Sequence, residues 1–596
     1  MTYTLVTSKK TLRAALERVQ GPCALDFETT TLVPAEGRVR LVQLCNDAVQ
    51  VVVDFDEIPG GFRSCARLFD RDDAQWVVFN AGFEARWFQD AGVEPWIWDV
   101  EHLRRAILGG SRLSLRLMAQ FDLEEDVSKD EQGSDWSARR LTRQQLDYAW
   151  KDADVTWRLW QHWADKADPE RWACFRVLAD LDYPVIEMEE SGIKLDTKRH
   201  RALVEQWQRI QADKIAAIRE LVGEDEVANI NSDSQWSDYF SRLLPDQILK
   251  KWPRTEKSGQ LQMTGETLKM LAGMFPGTPL EEAFDALSDY KKISKYISSF
   301  GETLITKANL SPDGRVRARF NIGAAKTLRF SSSGPNVQQI PRDKDDFFGE
   351  TLSIRQSFVA GMGRRIVALD YSGIELRVLG LLAGDDQLIE DAVQGRIHDK
   401  VAEYMAGRPV DKRVPADNEI RTKAKGVSFG TVYGSGAAGL ASTLRRSVDE
   451  AQDLLDFWAG RYPKAFNLRH DKLTEAERTR YIRMVDGGTV YMGKRPELPK
   501  CANYPVQRAA WSIMARAIKR HHDTLQGERA AGRHRMTRMI GTIHDELLDE
   551  ASSRDADACY ALLERDMTDA YLDIFPGAPT ENLVEGGIGK TWGDVK

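Results

Sequence analysis

The sequence predicts two unlike halves: an α/β domain over about residues 1–185, then an α+β body running to residue 596. Three observations carry this expectation. Short strand-like runs alternate with helix-like runs up to about residue 185, the pattern turns helical to about residue 300, and strong strands mix with long helices beyond residue 350. At about 150 residues per domain, a chain of 596 residues is expected to hold roughly four domains.

In the first half, Ala24 to Phe27 is a short apolar run interrupted and followed by acids. Leu41 to Cys45 and Val51 to Phe55 are apolar runs separated by Asn46 and Asp47, a hairpin signal. Helical segments follow at about 100–120 and 143–166. Beyond residue 186, Leu203, Val204, Trp207, Ile210, Ile215 and Ile218 fall on one helical stripe, and Lys291, Lys292 and Lys295 sit on a second helical stretch. Residues 311–342 carry six bases (Arg315, Arg317, Arg319, Lys326, Arg329 and Arg342) against one acid, Asp313, and include the turn-forming run SSSGPN.

Composition excludes several classes. Apolar residues make up 42% and charged residues 29%, the values of a soluble globular chain. A net charge of −8 argues against a protein that coats nucleic acid indiscriminately, so any nucleic-acid site needs its positive charge concentrated in a groove. Cys23, Cys45, Cys65, Cys174, Cys501 and Cys559 are scattered and form no CxxC pair, which points to a reducing compartment rather than a disulfide framework. The start has no apolar leader, and no window of about 18 apolar residues exists to span a membrane. A cytoplasmic location is expected.

Three C-terminal pieces carry chemistry. In RRIVALDYSGIELRVLG, the run Ile366 to Leu369 is a buried strand that ends at Asp370, with a helix starting near Ile374. A carboxylate at a strand end is held on a rigid element suited to a metal; alone, it equally reads as a cap for the following helix. In RMTRMIGTIHDELLDE, strands over Met539 to Ile543 and from Leu547 onward flank His544, Asp545 and Glu546 at a hairpin tip, although Asp-Glu pairs are common by chance. In RTKAKGVSFGTVYG, Arg421, Lys425, Phe429 and Tyr433 recur every four residues, so they wind slowly along one helical face. Two cations followed by two aromatics suit a triphosphate followed by a base. Gly434 and Gly436 end that helix.

These three blocks, in this order, resemble motifs A, B and C of the family A DNA polymerases, the family of bacterial DNA polymerase I. Asp370 to Arg377 matches DYSxIELR except that Gly373 stands where glutamine is usual, Arg421 to Gly434 matches RxxxKxxxFGxxYG, and His544 to Glu546 matches HDE. TLRFSSSGPNVQQIP, RIHD, NYPVQ and the ending GIGKTW resemble further blocks of the family, so the resemblance covers about residues 186–596. It implies a right-hand polymerase fold with palm, fingers and thumb. It also implies in-line phosphoryl transfer assisted by two Mg2+ ions, with Mn2+ able to substitute. The implied metal positions are Asp370, Tyr371 and Asp545, with Glu546 a supporting acid. His398, Arg421 and Lys425 would meet the incoming triphosphate, Phe429 would stack near its base, and Tyr433 would border the template position. Glu375, five residues after Asp370, would crowd a ribose 2′-OH and so select deoxynucleotides. Arg329, Asn336, Asn503, Gln507 and His544 would touch primer or template.

At the other end, ALDFETT sets Asp26 and Glu28 at i and i+2, on one face of an extended strand. YAWKD sets Tyr148 and Asp152 four apart on one helical face, where Tyr148 can orient a water. Each pattern is frequent by chance. Together they resemble the DEDD-type 3′–5′ exonucleases, with an RNase H-like fold and metal positions at Asp26, Glu28 and Asp152. FNAGFEARWF resembles the second motif of that class, but Glu84 stands where aspartate is usual, which leaves proofreading intact, weakened or lost; Asp99 reads as support for the fold.

The expected domains are an exonuclease-like domain at 1–185, thumb and start of palm at 186–345, palm at 346–390 and 486–596, and fingers at 391–485. Primer–template DNA and dNTPs are the implied partners of a monomer, with replication accessory proteins as further ones. A single-subunit RNA polymerase shares the three motifs, but Glu375 and the exonuclease-like half argue against it. A degradative enzyme or a binding module would lack the complete set of acids. No GxxxxGK loop is present and nothing precedes the exonuclease-like block, so neither a fused P-loop helicase nor a 5′-nuclease is expected. This compact plan resembles a bacterial large fragment of the Klenow type or a phage replicative enzyme, and leans to the phage reading.

Overall fold

The structure, a computed structural model, describes residues 3–127, 133–223, 226–255, 258–341, 353–444 and 446–595. Arg342 and the expected boundary at 345 lie outside the described residues.

The N-terminal half folds around a six-stranded sheet. Its strands are β1 (Thr4–Val6), β2 (Gly21–Thr29), β3 (Val39–Cys45), β4 (Gln50–Asp54), β5 (Ala74–Val78) and β6 (Ile97–Asp99), in the order β1-β4-β3-β2-β5-β6. β3 is antiparallel to both β2 and β4, as the Asn46–Asp47 turn predicts, and the remaining pairs are parallel. Every residue of β3 is buried, which fits a strand with neighbours on both sides and helices over both faces. The helices are α1 (Lys9–Leu16), α2 (Gly82–Asp90), α3 (Val100–Leu108), α4 (Leu115–Asp122) and α5 (Arg143–Ala164). One layer packs Phe27, Phe62, Phe69, Trp76 and Phe88 together. The single helix expected at 100–120 is two helices, because Gly109 and Gly110 take φ of 65° and 102° and break the run. Thr142 and Gln145 close a capping box at the start of α5, which fixes where Tyr148 and Asp152 fall.

The helix Asp182–Ser191 joins the halves, and the expected boundary at 185 falls inside it. Its Ile186 packs into the N-terminal core, while Val185 and Met188 belong to the C-terminal one. The predicted stripe is borne out by the helix Thr197–Val222, where Leu203, Val204, Trp207 and Ile218 are buried. The three lysines sit on the helix Pro279–Phe300.

The C-terminal body is built on a four-stranded antiparallel sheet in the order Arg538–Ile543, Glu546–Ser552, Arg364–Tyr371, Val584–Gly589. The strand Arg364–Tyr371 is flanked on both sides, and its last six residues are buried. The helices Ile397–Ala406, Pro415–Val432 and Val448–Arg461 pack on one another as a bundle, and the 33-residue helix Leu498–Ala530 packs on the helix Ala556–Ile574, which lies against the strand Arg364–Tyr371. Much of the basic stretch 311–342 serves structure. Arg315 donates to both oxygens of Glu550 at 2.7 and 2.6 Å, Arg317 pairs with Asp313, and Arg319 with Glu189.

Candidate active sites

The C-terminal site starts from strand register. Asp370 lies one residue from the end of its strand, directly opposite Glu546 on the neighbouring strand. The amide of Tyr371 donates to the carbonyl of Asp545 at 3.1 Å, so the two predicted metal positions sit on adjoining backbone. The hairpin tip is tighter than expected: His544 and Asp545 alone make the turn, and Glu546 already belongs to the strand. His544 takes φ of 55°, a conformation that costs a non-glycine residue on the order of 1–3 kcal/mol and is held by its surroundings. Gln338 is part of that hold. Its side chain accepts from the His544 amide at 2.8 Å and donates to the Thr542 carbonyl at 2.7 Å. The capping alternative for Asp370 fails, because Gly373 is the helix N-cap and no side chain caps it. Gly373 takes φ of 58°, a left-handed conformation that favours glycine.

Glu546 has a supporting place. One of its oxygens accepts from Arg355 at 3.0 Å, the other from the Trp592 indole at 3.1 Å, and the Arg355 guanidinium lies 4.0 Å from the Trp592 ring. Tyr371 turns its side chain away, its hydroxyl donating to the Met567 carbonyl at 2.6 Å, so its main-chain oxygen is the atom left for a ligand role. Glu375 ties three predicted blocks together. Arg329 donates to one of its oxygens, and the Tyr433 hydroxyl donates to the other at 2.7 Å. Burial and the Glu375 charge hold the Tyr433 hydroxyl above the ordinary phenol range.

The motif B residues lie on the helix Pro415–Val432 as expected, with Tyr433 at its C-cap. Gly434 ends it with φ of 75°, and a Cβ there would come within 2.7 Å of Pro499. Lys425 is exposed and Arg421 half-buried, bonded to Asp399. The rings of Phe429 and Tyr433 lie 6.0 Å apart, and His398 lies 5.5 Å from Phe429. His398 bonds Ser428 at 3.1 Å, and burial, Lys425 and Arg421 push its pKa down to about 4, so it is a neutral imidazole at neutral pH. Gln507 accepts from Thr327 at 3.2 Å, Asn336 accepts from Ser332 at 3.0 Å, and Asn503 buries an oxygen with no hydrogen-bond partner.

The N-terminal site is a cleft of about 790 Å³ whose lining includes Asp26, Glu28, Glu84, Tyr148 and Asp152, all five residues expected there. Asp26 and Glu28 share one face of β2, and α5 brings Tyr148 and Asp152 against it. Acids face acids. Burial, then the charge of Asp152, raises Asp26 well above the ordinary carboxylate range, and burial, Asp26 and Asp152 push Glu28 up to about 10. Glu84, in the first turn of α2 and 1% exposed, is raised by burial and by Asp26, and one of its oxygens is buried without a partner. Asp99 supports the fold, as read from sequence. It accepts from the amides of Asn80, Ala81 and Glu101 at 3.0, 3.1 and 2.9 Å, and so sets the entry into α2.

Among the described residues, no group of three or more His, Cys, Asp or Glu side chains is gathered closely enough to hold a metal ion by itself. The donors in both sites are nonetheless oxygens, and the N-terminal carboxylates repel one another in a shared cleft. That is a donor set for a hard divalent cation whose remaining ligands come from substrate phosphates and water.

A four-stranded sheet carrying paired acids and a helix bearing cations and aromatics are thus joined to an α/β domain with an acidic cleft. A family model described as DNA polymerase family A matches residues 197–594, and one described as 3′–5′ exonuclease matches residues 3–167. The chain belongs to DNA polymerase family A and carries an N-terminal 3′–5′ exonuclease domain. It is 31% identical to the thermostable DNA polymerase I of Thermus aquaticus, over 77% of this chain and 53% of that protein. It is 30% identical to DNA polymerase I of Chloroflexus aurantiacus, over 89% of this chain and 56% of that protein. The chain thus spans about half the length of the curated relatives it matches. The POL domain of Pol1 from M. smegmatis, in complex with DNA primer-template and dNTP, shares the fold with a TM-score of 0.79 at 21% identity, over 99% of both chains.

Proposed function

We propose that this chain extends a DNA primer on a template from dNTPs at Asp370 and Asp545, and shortens DNA from its 3′ end at Asp26, Glu28, Glu84 and Asp152. The observation that carries the first activity is the convergence of three separate blocks on Glu375. Arg329 and Tyr433 both bond it, and the strand that carries Asp370 bonds the Asp545 carbonyl through the Tyr371 amide. Asp370, Asp545 and the main-chain oxygen of Tyr371 would hold Mg2+, which when bound stabilises the attacking and leaving oxygens of phosphoryl transfer. Arg421 and Lys425 would neutralise the triphosphate, and neutral His398 would donate a hydrogen bond to it. Phe429 would offer its face to the base, and Glu375 would exclude a 2′-OH by occupying its place. At the other site Asp26, Glu28 and Asp152 would hold metal, Glu84 would complete the negative cleft, and Tyr148 would orient a water.

We assign exonuclease to 1–185, thumb and start of palm to 186–345, palm to 346–390 and 486–596, and fingers to 391–485. Primer–template DNA and dNTPs are the proposed substrates, and a phage or bacterial cytoplasm is the proposed setting. The test is a labelled primer–template incubated with Mg2+. Extension with the four dNTPs and shortening without them are expected; neither activity from folded protein would overturn the proposal.

A further inference from the structure

The N-terminal domain and the polymerase body meet along a second cleft that the two active sites do not use. It encloses about 330 Å³, and its lining includes Leu113, Phe121, Lys326, Tyr481 and Tyr491. Tyr481 and Tyr491 are directly paired across the hairpin formed by the strands Tyr481–Arg483 and Thr489–Tyr491, with ring centroids 5.2 Å apart. The period of the strands decides which side chains face out. Ile482 and Val490 are buried in a small core with Met484 and Met492, whereas Tyr491 is 39% exposed and Tyr481 half-buried. Across the cleft, Phe121 of α4 is 63% exposed. Exposed rings cost burial that a stable fold would otherwise gain, and here two exposed rings and one half-buried ring, from two domains, line one cavity.

The cleft is built rather than incidental, because its two walls are fastened together. The Thr489 hydroxyl bonds the carbonyl of Ile107 near the end of α3. Gly109, with φ of 65°, lets the backbones meet so closely that a Cβ would come within 2.5 Å of the Thr489 oxygen. Behind the tyrosines, Arg483 pairs with Asp168 at 2.8 Å and Glu170 at 2.5 Å.

Charge selects the occupant. Residues 478–500 carry six bases (Arg478, Arg480, Arg483, Lys494, Arg495 and Lys500) against two acids, Asp486 and Glu497, in a chain whose net charge is −8. Asp486 is buried against Arg508 and Glu497 pairs with Lys500, so neither offsets the exposed Arg480, Lys494 and Arg495. Lys326, also exposed, lines the same cleft. Flat rings flanked by flexible cations suit unpaired bases on a phosphate backbone, and they do not suit a duplex, whose bases are already stacked on each other. The position fits as well. Thr327, next to Lys326, bonds Gln507, and Leu113 lines both this cleft and the exonuclease cleft.

We propose that this cleft binds single-stranded DNA, with Phe121, Tyr481 and Tyr491 stacking on bases and Lys326 and Arg480 meeting phosphates. The proposal rests on the polymerase reading for its substrate class. The test uses the full chain carrying Asp26→Ala, so that an oligonucleotide survives, and measures binding of a fluorescent oligothymidylate alongside extension of a matched primer–template. Phe121→Ala combined with Tyr491→Ala should weaken oligothymidylate binding about tenfold or more and leave matched extension unchanged. Tyr491→Phe, which keeps the ring, should bind like the parent. Lys326→Gln should lower the salt dependence of binding by about 0.7 in log–log slope. Unchanged oligothymidylate affinity in the double variant would overturn the proposal, as would an equal loss in binding and in matched extension. Failure of the parent chain to extend any primer would instead overturn the polymerase reading.

Discussion

The two acidic sites are built on opposite electrostatic plans. In the N-terminal cleft burial raises Asp26, Glu28 and Glu84, with Asp152 adding to the shift of Asp26, Asp26 and Asp152 to that of Glu28, and Asp26 to that of Glu84. In the palm, acids are wired to cations: Glu375 to Arg329, Glu546 to Arg355, and Glu550 to Arg315, Arg364 and Arg538. The difference teaches what each site needs. Burial and crowding drive the carboxyls of the cleft to hold protons, which a bound cation would displace. The palm fixes its neighbouring carboxylates in place, so that Asp370 and Asp545 sit on a framework whose charges are already balanced.

The sharpest way to break this comparison is to remove a palm acid. Asp370→Asn should lower primer extension by at least about a thousandfold, while primer–template binding and 3′ shortening persist. Extension within tenfold of the parent would mean that the palm acids do not carry the chemistry.

A second test acts on a palm cation directly. His521 is fully buried between Asp549 and Asp566, at 2.6 and 2.9 Å, with Cys559 also bonding Asp549 and Arg565 bonding Asp566. Burial alone would lower its pKa, but Asp549 and Asp566 outweigh burial and lift it to about 9. A folded pKa raised above the unfolded value of 6.5 stabilises the fold fully below pH 6.5, and that stabilisation is lost as pH rises through about 9. The contribution is on the order of 3 kcal/mol. Thermal melts of the parent should therefore fall between these pH values more steeply than those of His521→Asn, and parallel curves would remove the imidazolium from the account.

Two smaller effects sharpen the comparison. Glu84→Gln should slow 3′ shortening about 10- to 100-fold, the scale seen when a supporting carboxylate is lost from a metal site, and should leave extension alone; undiminished shortening would make Glu84 a bystander. Glu375→Ala should raise ribonucleotide incorporation about tenfold, and unchanged sugar discrimination would leave Glu375 only its bonds to Arg329 and Tyr433.

Much of this was legible because the chemistry sits at strand ends and helix repeats. The run Ile366 to Leu369 announces a strand that must stop near Asp370, and the four-residue repeat from Arg421 places its side chains on one face before any fold is known. What stayed hidden depends on long-range contacts. Gln338 holds the His544 turn from 206 residues away, and Arg355 and Trp592 reach Glu546 from two distant segments. Their local sequence carries no sign of it beyond the blocks that contain them. The break at Gly109 and Gly110 was readable in principle, since adjacent glycines oppose a continuous helix. The inter-domain role of Arg105 was not. It is fully buried and donates to the carbonyls of Ile322 and Gly323, at 3.3 and 2.5 Å, in the other half of the chain.

The measurement that tests the central claim most directly is a double dissociation on one labelled primer–template with Mg2+, with and without dNTPs. Asp545→Asn should abolish extension and keep shortening, while Asp26→Ala should abolish shortening and keep extension. Loss of both activities in either folded variant, or loss of neither, would contradict the account of two independent acidic sites.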